Sequence, residues 1–220
     1  MFLNSRALLL GAVLAFSTCP LMRADFMTFA QPTAAYVNST TLLDFPSPDH
    51  TLIGYLSGGG EILAYDNLLE TRSVPATWVS WGAPPAIETA TPHVGYTQGN
   101  SELTIFLGHA ATTFGFELQP DNAAAEQTAA KFYSGSTLVG TIGLSPNGDS
   151  GALLYAASTT TNPFTSVVIN DLTNLIDSPK DFGIARQRFI LAAPEPGTYA
   201  LSGLALLLLA PFARRLKKSA

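Results

Sequence analysis

The sequence predicts an all-β protein: an antiparallel β-sandwich of jelly-roll type, flanked by an N-terminal signal helix and a single C-terminal transmembrane helix. Three observations support this prediction. Between residues 25 and 191, Thr, Val, Ile, Phe and Tyr occur in short runs that Gly, Pro, Asn and Asp interrupt about every ten residues. No stretch of this body keeps a helical period over three turns. Uncharged apolar runs stand near both ends of the chain.

The N-terminal segment, residues 1–24, has the form of a secretory signal peptide. Arg6 precedes an uncharged apolar run that begins at Ala7 and is too short to span a membrane. We expect cleavage after Ala24, with Ala30 as the alternative. The single cysteine, Cys19, would leave with this segment. Disulfides, Cys-ligated zinc and Cys nucleophiles are therefore excluded from the mature domain.

The body, residues 25–191, is predicted to form one β-sandwich domain. Its clearest strand is 113–118, in which Phe114, Phe116 and Leu118 share one face and the other face meets solvent. Residues 123–130 are the one candidate helical turn. A tight hairpin is predicted at 134–136 and a longer one at 145–151. The other predicted strands are 35–45, 51–56, 62–65, 76–81, 102–107, 129–133, 137–144, 152–158, 164–170 and 182–190.

Charge narrows the possible functions. All 16 acidic residues fall between Asp25 and Glu195, together with only five of the 11 basic residues. A surface with this negative balance repels phosphate backbones, whereas nucleic-acid binding needs the opposite sign. Nucleic acid is therefore excluded as a partner.

The motifs contain no convincing catalytic set. Gly148-Asp149-Ser150-Gly151 resembles the nucleophile segment of chymotrypsin-like proteases, which also needs a His base and an Asp that orients it. None of the three histidines lies in a matching setting, so a hairpin turn is the better interpretation. We predict that the protein is not an enzyme and uses no cofactor.

One candidate ligand site is an aromatic platform for sugar stacking. Its residues are Trp78, Trp81 and Tyr96, and Tyr55 is a further aromatic residue that could join them. The two tryptophans are three positions apart, which on a strand places them on opposite faces. At least one of them is therefore also a candidate core residue, the commoner role of a large aromatic side chain.

A second candidate site is a calcium site in the loop before the last strand. Asp171, Asn174, Asp177 and Asp181 offer oxygen ligands at irregular spacing, and calcium accepts several such oxygens. The spacing differs from that of an EF-hand loop. The alternative interpretation is a solvated turn rich in Asp and Asn.

The C-terminal segment, residues 192–218, is predicted to be a membrane signal. Its apolar part, residues 197–213, carries no charge and holds six leucines. As a helix it reaches about 25 Å, near the lower limit for crossing a hydrocarbon core of about 30 Å. The basic residues behind it orient the chain with its C-terminus in the cytoplasm. These residues are Arg214, Arg215, Lys217 and Lys218.

The order of motifs in this tail closely resembles the PEP-CTERM sorting signal of Gram-negative bacteria, a tail also found on some ice-binding proteins. The matching elements are Pro194-Glu195-Pro196, the short apolar helix and the basic end. The resemblance implies that an exported chain is held in the inner membrane by this helix until a membrane-embedded exosortase processes it near Pro194, Glu195 and Pro196. It also implies a final location at the cell surface or in the extracellular matrix.

The body is similar to the β-sandwich domains that often precede such tails, over segments 114–118, 132–140, 164–169 and 181–184. Gln187 departs from that pattern, which often has an aromatic residue there, so we expect the final strand to be bulged or less buried. The sequence thus predicts an exported, non-catalytic surface or matrix protein. The alternatives are a carbohydrate-binding module that associates with extracellular polysaccharide and an enzyme of unrecognised type.

Overall fold

A computed structural model describes residues 26–172 and 181–193. Within these residues the chain forms eleven β-strands and one short α-helix, and the strands pair antiparallel. The predicted all-β antiparallel class is therefore confirmed. The elements are β1 (Met27–Phe29), α1 (Ala34–Ser39), β2 (Thr41–Leu43), β3 (Leu52–Gly58), β4 (Glu61–Ser73), β5 (His93–Tyr96), β6 (Glu102–Pro120), β7 (Thr128–Ser134), β8 (Thr137–Leu144), β9 (Leu153–Ser158), β10 (Phe164–Asp171) and β11 (Phe182–Leu191).

The longest strand, β6, belongs to two layers. Its first half, residues 102–107, pairs with β4 and β10, and its second half, residues 111–120, pairs with β9 and β11. The front layer therefore has the strand order β3-β4-β6-β10-β7-β8. The back layer has the order β1-β9-β6-β11, with β2 and β5 also paired to β11. The strands predicted separately at 102–107 and 113–118 are one continuous strand.

The two layers enclose one hydrophobic core. Leu63 and Ile105 from the front layer and Phe114, Phe116 and Leu118 from the back layer are completely buried in it. Removing such apolar surface from water is the main favourable contribution to folding. The predicted alternation of Phe114, Phe116 and Leu118 toward one face is confirmed.

The second half of β6 is buried on both faces, so the prediction of a half-buried strand is wrong. Glu117 and Gln119, which alternate with the core residues, have no solvent exposure. An irregular segment, residues 74–92, packs its two tryptophans over this face. We call residues 74–92 the cover segment. The strand predicted at 76–81 does not form, because these residues turn and cover the back layer instead of extending a sheet.

The strand predicted at 35–45 is also wrong in its first part. Residues Ala34–Ser39 form α1, whose start is capped by Thr33: the Thr33 Oγ1 accepts a hydrogen bond from the Tyr36 N–H at 3.3 Å. Tyr36 packs against Leu154 and Ala156 of β9. An N-cap and the burial of one aromatic ring thus override the strand-favouring composition of the segment.

The predicted turns have mixed outcomes. The hairpin at 134–136 is confirmed, since β7 and β8 pair around Gly135, whose φ is 58°. Residues 145–151 do not join a hairpin, because β8 pairs with β7 while β9 pairs with β6 and β1. Residues 123–130 contain no helical turn, and the last three of them begin β7. The strands β1 and β5 were not predicted.

The last strand carries a β-bulge at the position where the sequence departs from its pattern. The pairing of β11 with β6 shifts register between Ala185 and Arg188, and Arg186 has a φ of 52°. The expected bulge is confirmed. The expected loss of burial is wrong: Gln187 has no exposed surface, and its Nε2 donates a hydrogen bond to the Tyr65 hydroxyl oxygen at 2.7 Å.

Candidate functional site

Both tryptophans of the predicted sugar platform lie inside the protein. Trp78 is 5% exposed and Trp81 is 1% exposed. The Trp78 indole N–H donates to Gln119 Oε1 at 2.5 Å, and the Trp81 indole N–H donates to Glu117 Oε2 at 2.8 Å. Because they belong to the cover segment and not to a strand, both rings point the same way, with centroids 6.2 Å apart. They fasten the cover segment and cannot form an exposed stacking platform.

Tyr96, the third predicted platform residue, joins a polar cluster with Asp181. The Tyr96 hydroxyl donates to Asp181 Oδ2, which also accepts from the Gly99 N–H at 2.9 Å. The Arg72 guanidinium carbon lies 4.1 Å from the centroid of the Tyr96 ring, and the Trp78 ring lies 5.6 Å away on centroids. The structure thus brings together residues that the sequence assigned to two different sites.

This cluster borders a cleft of about 270 Å³ between the cover segment and the loop after β6. Arg72, Trp78, Asp121 and Asp149 are among its lining residues. Burial, together with the nearby charge of Asp181, raises the pKa of the Asp121 carboxyl against a hydrogen bond from Tyr96. Burial and the bond to Asp181 also raise the pKa of the Tyr96 hydroxyl. The cleft offers one cation and two carboxylates to a small polar ligand.

The predicted calcium residues are described only in part. Asp171 ends β10 and Asp181 immediately precedes β11, while Asn174 and Asp177 lie outside the described residues. Across residues 26–172 and 181–193, no three His, Cys, Asp or Glu side chains are placed to hold a metal ion. Calcium binding by the complete set of four stays a prediction.

A buried ion network that the sequence analysis missed lies on the outer face of the back layer. The Arg188 Nε donates to Glu88 Oε1 at 2.5 Å and its Nη2 donates to Glu88 Oε2 at 2.8 Å. Arg186 bridges Glu88 Oε2 at 2.9 Å and Asp44 Oδ2 at 2.8 Å. The network ties the cover segment to β11. Its only sequence signal is the pair of arginines two positions apart on a predicted strand.

Glu117 on β6 also anchors the cover segment to the back layer. Its Oε1 accepts a hydrogen bond from the Glu88 N–H at 2.6 Å while its Oε2 is held by Trp81. Burial raises the pKa of this carboxyl to about 7, against the hydrogen bonds from the Glu88 N–H and Trp81, which lower it. The charge of Glu88 adds to the rise and the charge of Arg186 opposes it. The position of this group under the cover segment suits a fastening role.

The outer face of the front layer carries aromatic side chains that remain exposed. Tyr55 on β3 is 63% exposed and Phe106 on β6 is 49% exposed, while Tyr133 on β7 is half-buried. Directly opposed residues of antiparallel neighbours share a face. The strand registers therefore align one row of side chains across six strands, which we call the cross-strand row: Tyr55, Ala64, Phe106, Ser166, Tyr133 and Leu138.

Two further expectations concern motifs. Residues 148–151 form a turn, as expected: the Gly151 N–H donates to the Asn147 carbonyl oxygen at 2.9 Å, and Ser150 has a φ of 61°. The strands on either side, β8 and β9, do not pair with each other, so the turn does not close the expected hairpin. From Pro194 onward, the predicted sorting tail lies outside the described residues. This holds for Pro194, Glu195 and Pro196, for the predicted membrane span 197–213 and for the basic residues from Arg214 to Lys218. In the part of the chain that is described, we find no helix with the length and apolar character needed to cross a membrane.

Comparison with known proteins assigns no family. No protein-family model matches the chain, and no curated protein matches its sequence. Among solved structures, a mutant of the family 29 carbohydrate-binding module complexed with mannohexaose is 8% identical and covers 76% of this chain and 92% of its own, with a TM-score of 0.26. Another mutant of a family 29 module is 9% identical with the same coverage and a TM-score of 0.27. At these TM-scores the likeness carries no argument about fold or ligand.

Proposed function

We propose that the protein is an exported, non-catalytic surface or matrix protein with a β-sandwich body of jelly-roll type. Its N-terminal signal directs export, and residues 197–213 hold it in the inner membrane. An exosortase then processes it near Pro194, Glu195 and Pro196, after which it reaches the cell surface or the extracellular matrix.

The observation that supports this proposal is the short sequence separation between the last described strand and the Pro-Glu-Pro motif. β11 ends at Leu191, and the next residue still belongs to the fold, since the Ala192 N–H donates to the Ala110 carbonyl oxygen at 2.8 Å. Pro194 follows two positions later. Proline fixes φ near −65° and lacks a donor, so the sequence of Pro-Glu-Pro favours an extended peptide that a processing enzyme can bind.

The test is the intact mass of the protein recovered from its own cells, with and without the exosortase. We expect a species that ends near Pro194-Glu195-Pro196 in the first strain and a full-length membrane species in the second. Glu195→Ala should behave like loss of the exosortase, while the matched change Glu102→Ala, on β6 of the front layer, should be processed normally. A full-length membrane species in both strains would mean that the tail is only a membrane anchor, and would contradict processing by the exosortase.

The second candidate function is binding to extracellular polysaccharide. The observation that favours it is the exposed cross-strand row on the front layer, and not the buried tryptophans. Affinity of the purified full-length protein for soluble glycans separates this candidate from a body that has no glycan ligand.

A further inference from the structure

We propose that the cross-strand row binds a neutral, extended, β-linked polysaccharide chain that runs across the strands of the front layer, with sugar faces stacked on Tyr55, Phe106 and Tyr133. The proposal rests on the second candidate function above and names its site and its ligand class. None of these three residues belongs to the polar cleft or to the buried tryptophan pair.

The spacing of the three rings matches the repeat of a β-linked glycan. Register places Ala64 between Tyr55 and Phe106, and Ser166 between Phe106 and Tyr133. Successive rings are therefore two strands apart, about 10 Å. Two sugar units of an extended β-linked glycan cover a comparable length, and every second unit turns the same face to one side. The small side chains between the rings leave room for the units that do not stack.

The three rings also keep solvent-accessible surface, with Tyr55 and Phe106 exposed and Tyr133 half-buried. Between residues 26 and 172 and between 181 and 193, no aromatic pair includes Tyr55, Phe106 or Tyr133. Leu138 extends the apolar surface at the β8 end and is 51% exposed. An aromatic face that is not covered by another ring can meet the C–H face of a sugar.

A second row supplies hydrogen bonds. Beside the cross-strand row, about 7 Å from the rings, lie five side chains that are mostly polar. They stand two positions from the row on β4, β6, β10 and β7, and three positions from it on β8, where the pairing with β7 shifts register. Hydroxyl, carboxylate and ammonium groups there can pair with the hydroxyls of a sugar chain. One acid and one base leave this row without net charge, so a neutral polymer fits better than a polyanion. The row consists of Asp66, Thr104, Val168, Lys131 and Thr141.

Sheet twist sets the form of the ligand. Adjacent strands are rotated by about 20 to 25°, so rings two strands apart differ by about 40 to 50° in orientation. Such rings cannot all lie on one flat crystal surface. They suit a single chain that twists along its length, which predicts binding to soluble chains and not to crystalline polymer.

The test is isothermal titration of the full-length protein with hydroxyethylcellulose and with cello-oligosaccharides of increasing length, beside a pull-down with crystalline cellulose. We expect affinity to rise until the oligosaccharide spans the row, about 19 Å, and no retention on the crystalline polymer. Phe106→Ala and Tyr55→Ala should each weaken binding about tenfold, while Tyr55→Phe should keep it. The matched control is Val79→Ala, since Val79 is 89% exposed and lies on the cover segment, away from the front layer. Circular dichroism checks that the variants fold.

Each other outcome overturns the proposal in a recognisable way. Glycan binding that Phe106→Ala leaves unchanged, or that Val79→Ala weakens equally, would keep the second candidate function but remove this site. Absence of binding to every probe would remove both. A dimer in sedimentation that Phe106→Ala dissociates, without glycan binding, would assign the row to a second copy of the chain. The sorting proposal is tested separately, by intact mass, and its outcome does not depend on whether the protein binds a glycan.

Discussion

Trp81 donates its indole N–H to Glu117 Oε2 across 2.8 Å, and both side chains are almost completely buried. The other carboxylate oxygen of Glu117 accepts from the backbone of Glu88. One carboxylate on β6 therefore holds the cover segment at two points. Because a buried acceptor that loses its donor is costly, the back layer depends on these contacts as well as on apolar packing.

We predict that Trp81→Phe lowers the free energy of unfolding by roughly 2 to 3 kcal/mol at pH 8, because a buried carboxylate oxygen loses its donor. Urea denaturation measures the change. Trp78→Phe is the matched control: it removes a hydrogen bond to Gln119, a neutral amide, so its loss should be smaller. Equal losses would show that ring volume matters and the charge of Glu117 does not.

We predict that stability falls as the pH rises from about 4.5 to about 7. The pKa of Glu117 is raised to about 7 from an ordinary value of 4.5, so in this window the folded protein holds a proton that the unfolded chain has released. The free energy of unfolding should drop across the window by at most about 3 kcal/mol and level off above it.

Urea denaturation at a series of pH values measures this dependence. Glu117→Gln should remove that part of the slope, whatever it does to absolute stability, whereas Glu102→Gln at the start of β6 should keep it. If the curves of the protein and of Glu117→Gln run parallel, Glu117 does not titrate in this range.

We predict that Arg188→Lys lowers the free energy of unfolding by roughly 2 to 4 kcal/mol, because an ammonium group cannot reproduce the buried bidentate hydrogen bonding of Arg188 to Glu88. The Arg188 Nη1 also donates to the carbonyl oxygens of Val37 at 3.1 Å and Thr40 at 3.2 Å, and these would lose a donor. Thermal unfolding checks the prediction. Arg72→Lys, whose ion pair with Glu70 is longer and more exposed, should cost less; a larger loss there would contradict the argument.

We predict that Leu207→Asp releases the protein from the membrane before processing. One Asp near the centre of the apolar run costs about 2.5 to 3.5 kcal/mol of insertion free energy, a large penalty for so short a span. Fractionation of cells that lack the exosortase measures it, with Leu207→Ala as the control that should remain bound. Membrane retention of the Asp variant would contradict the assignment of residues 197–213 as an anchor.

Local pattern predicted the faces of strands better than it predicted their surroundings. The alternation of Phe114, Phe116 and Leu118 correctly identified the core face of β6. It could not show that Glu117 on the other face is buried, because the covering residue, Trp81, lies far earlier in the chain and its own sequence pattern suggested a strand.

Of the aromatic residues in the cross-strand row, the sequence analysis named Tyr55 but missed Phe106 and Tyr133, for a related reason. Tyr55, Phe106 and Tyr133 share no spacing in the sequence and meet only through the registers of four strand pairings. The neighbouring tryptophans, by contrast, suggested a platform through their proximity along the chain. Short sequence separation therefore indicated two aromatic residues that the fold buries, since the order of strands in the sheet decides which side chains become neighbours.

The short sequence separation between β11 and the Pro-Glu-Pro motif limits how far from the membrane surface the body of an anchored protein can lie. Among the described residues, Ala192 is the last one with a backbone hydrogen bond to the fold, and four residues separate it from the start of the expected span at Gly197. This separation reaches at most about 17 Å when the chain is extended. While anchored, the body would be tethered close to the lipid headgroups, with little freedom to tilt away from them. Cleavage would then change its reach as well as its attachment, because the same surfaces could diffuse into a matrix they had not been able to touch.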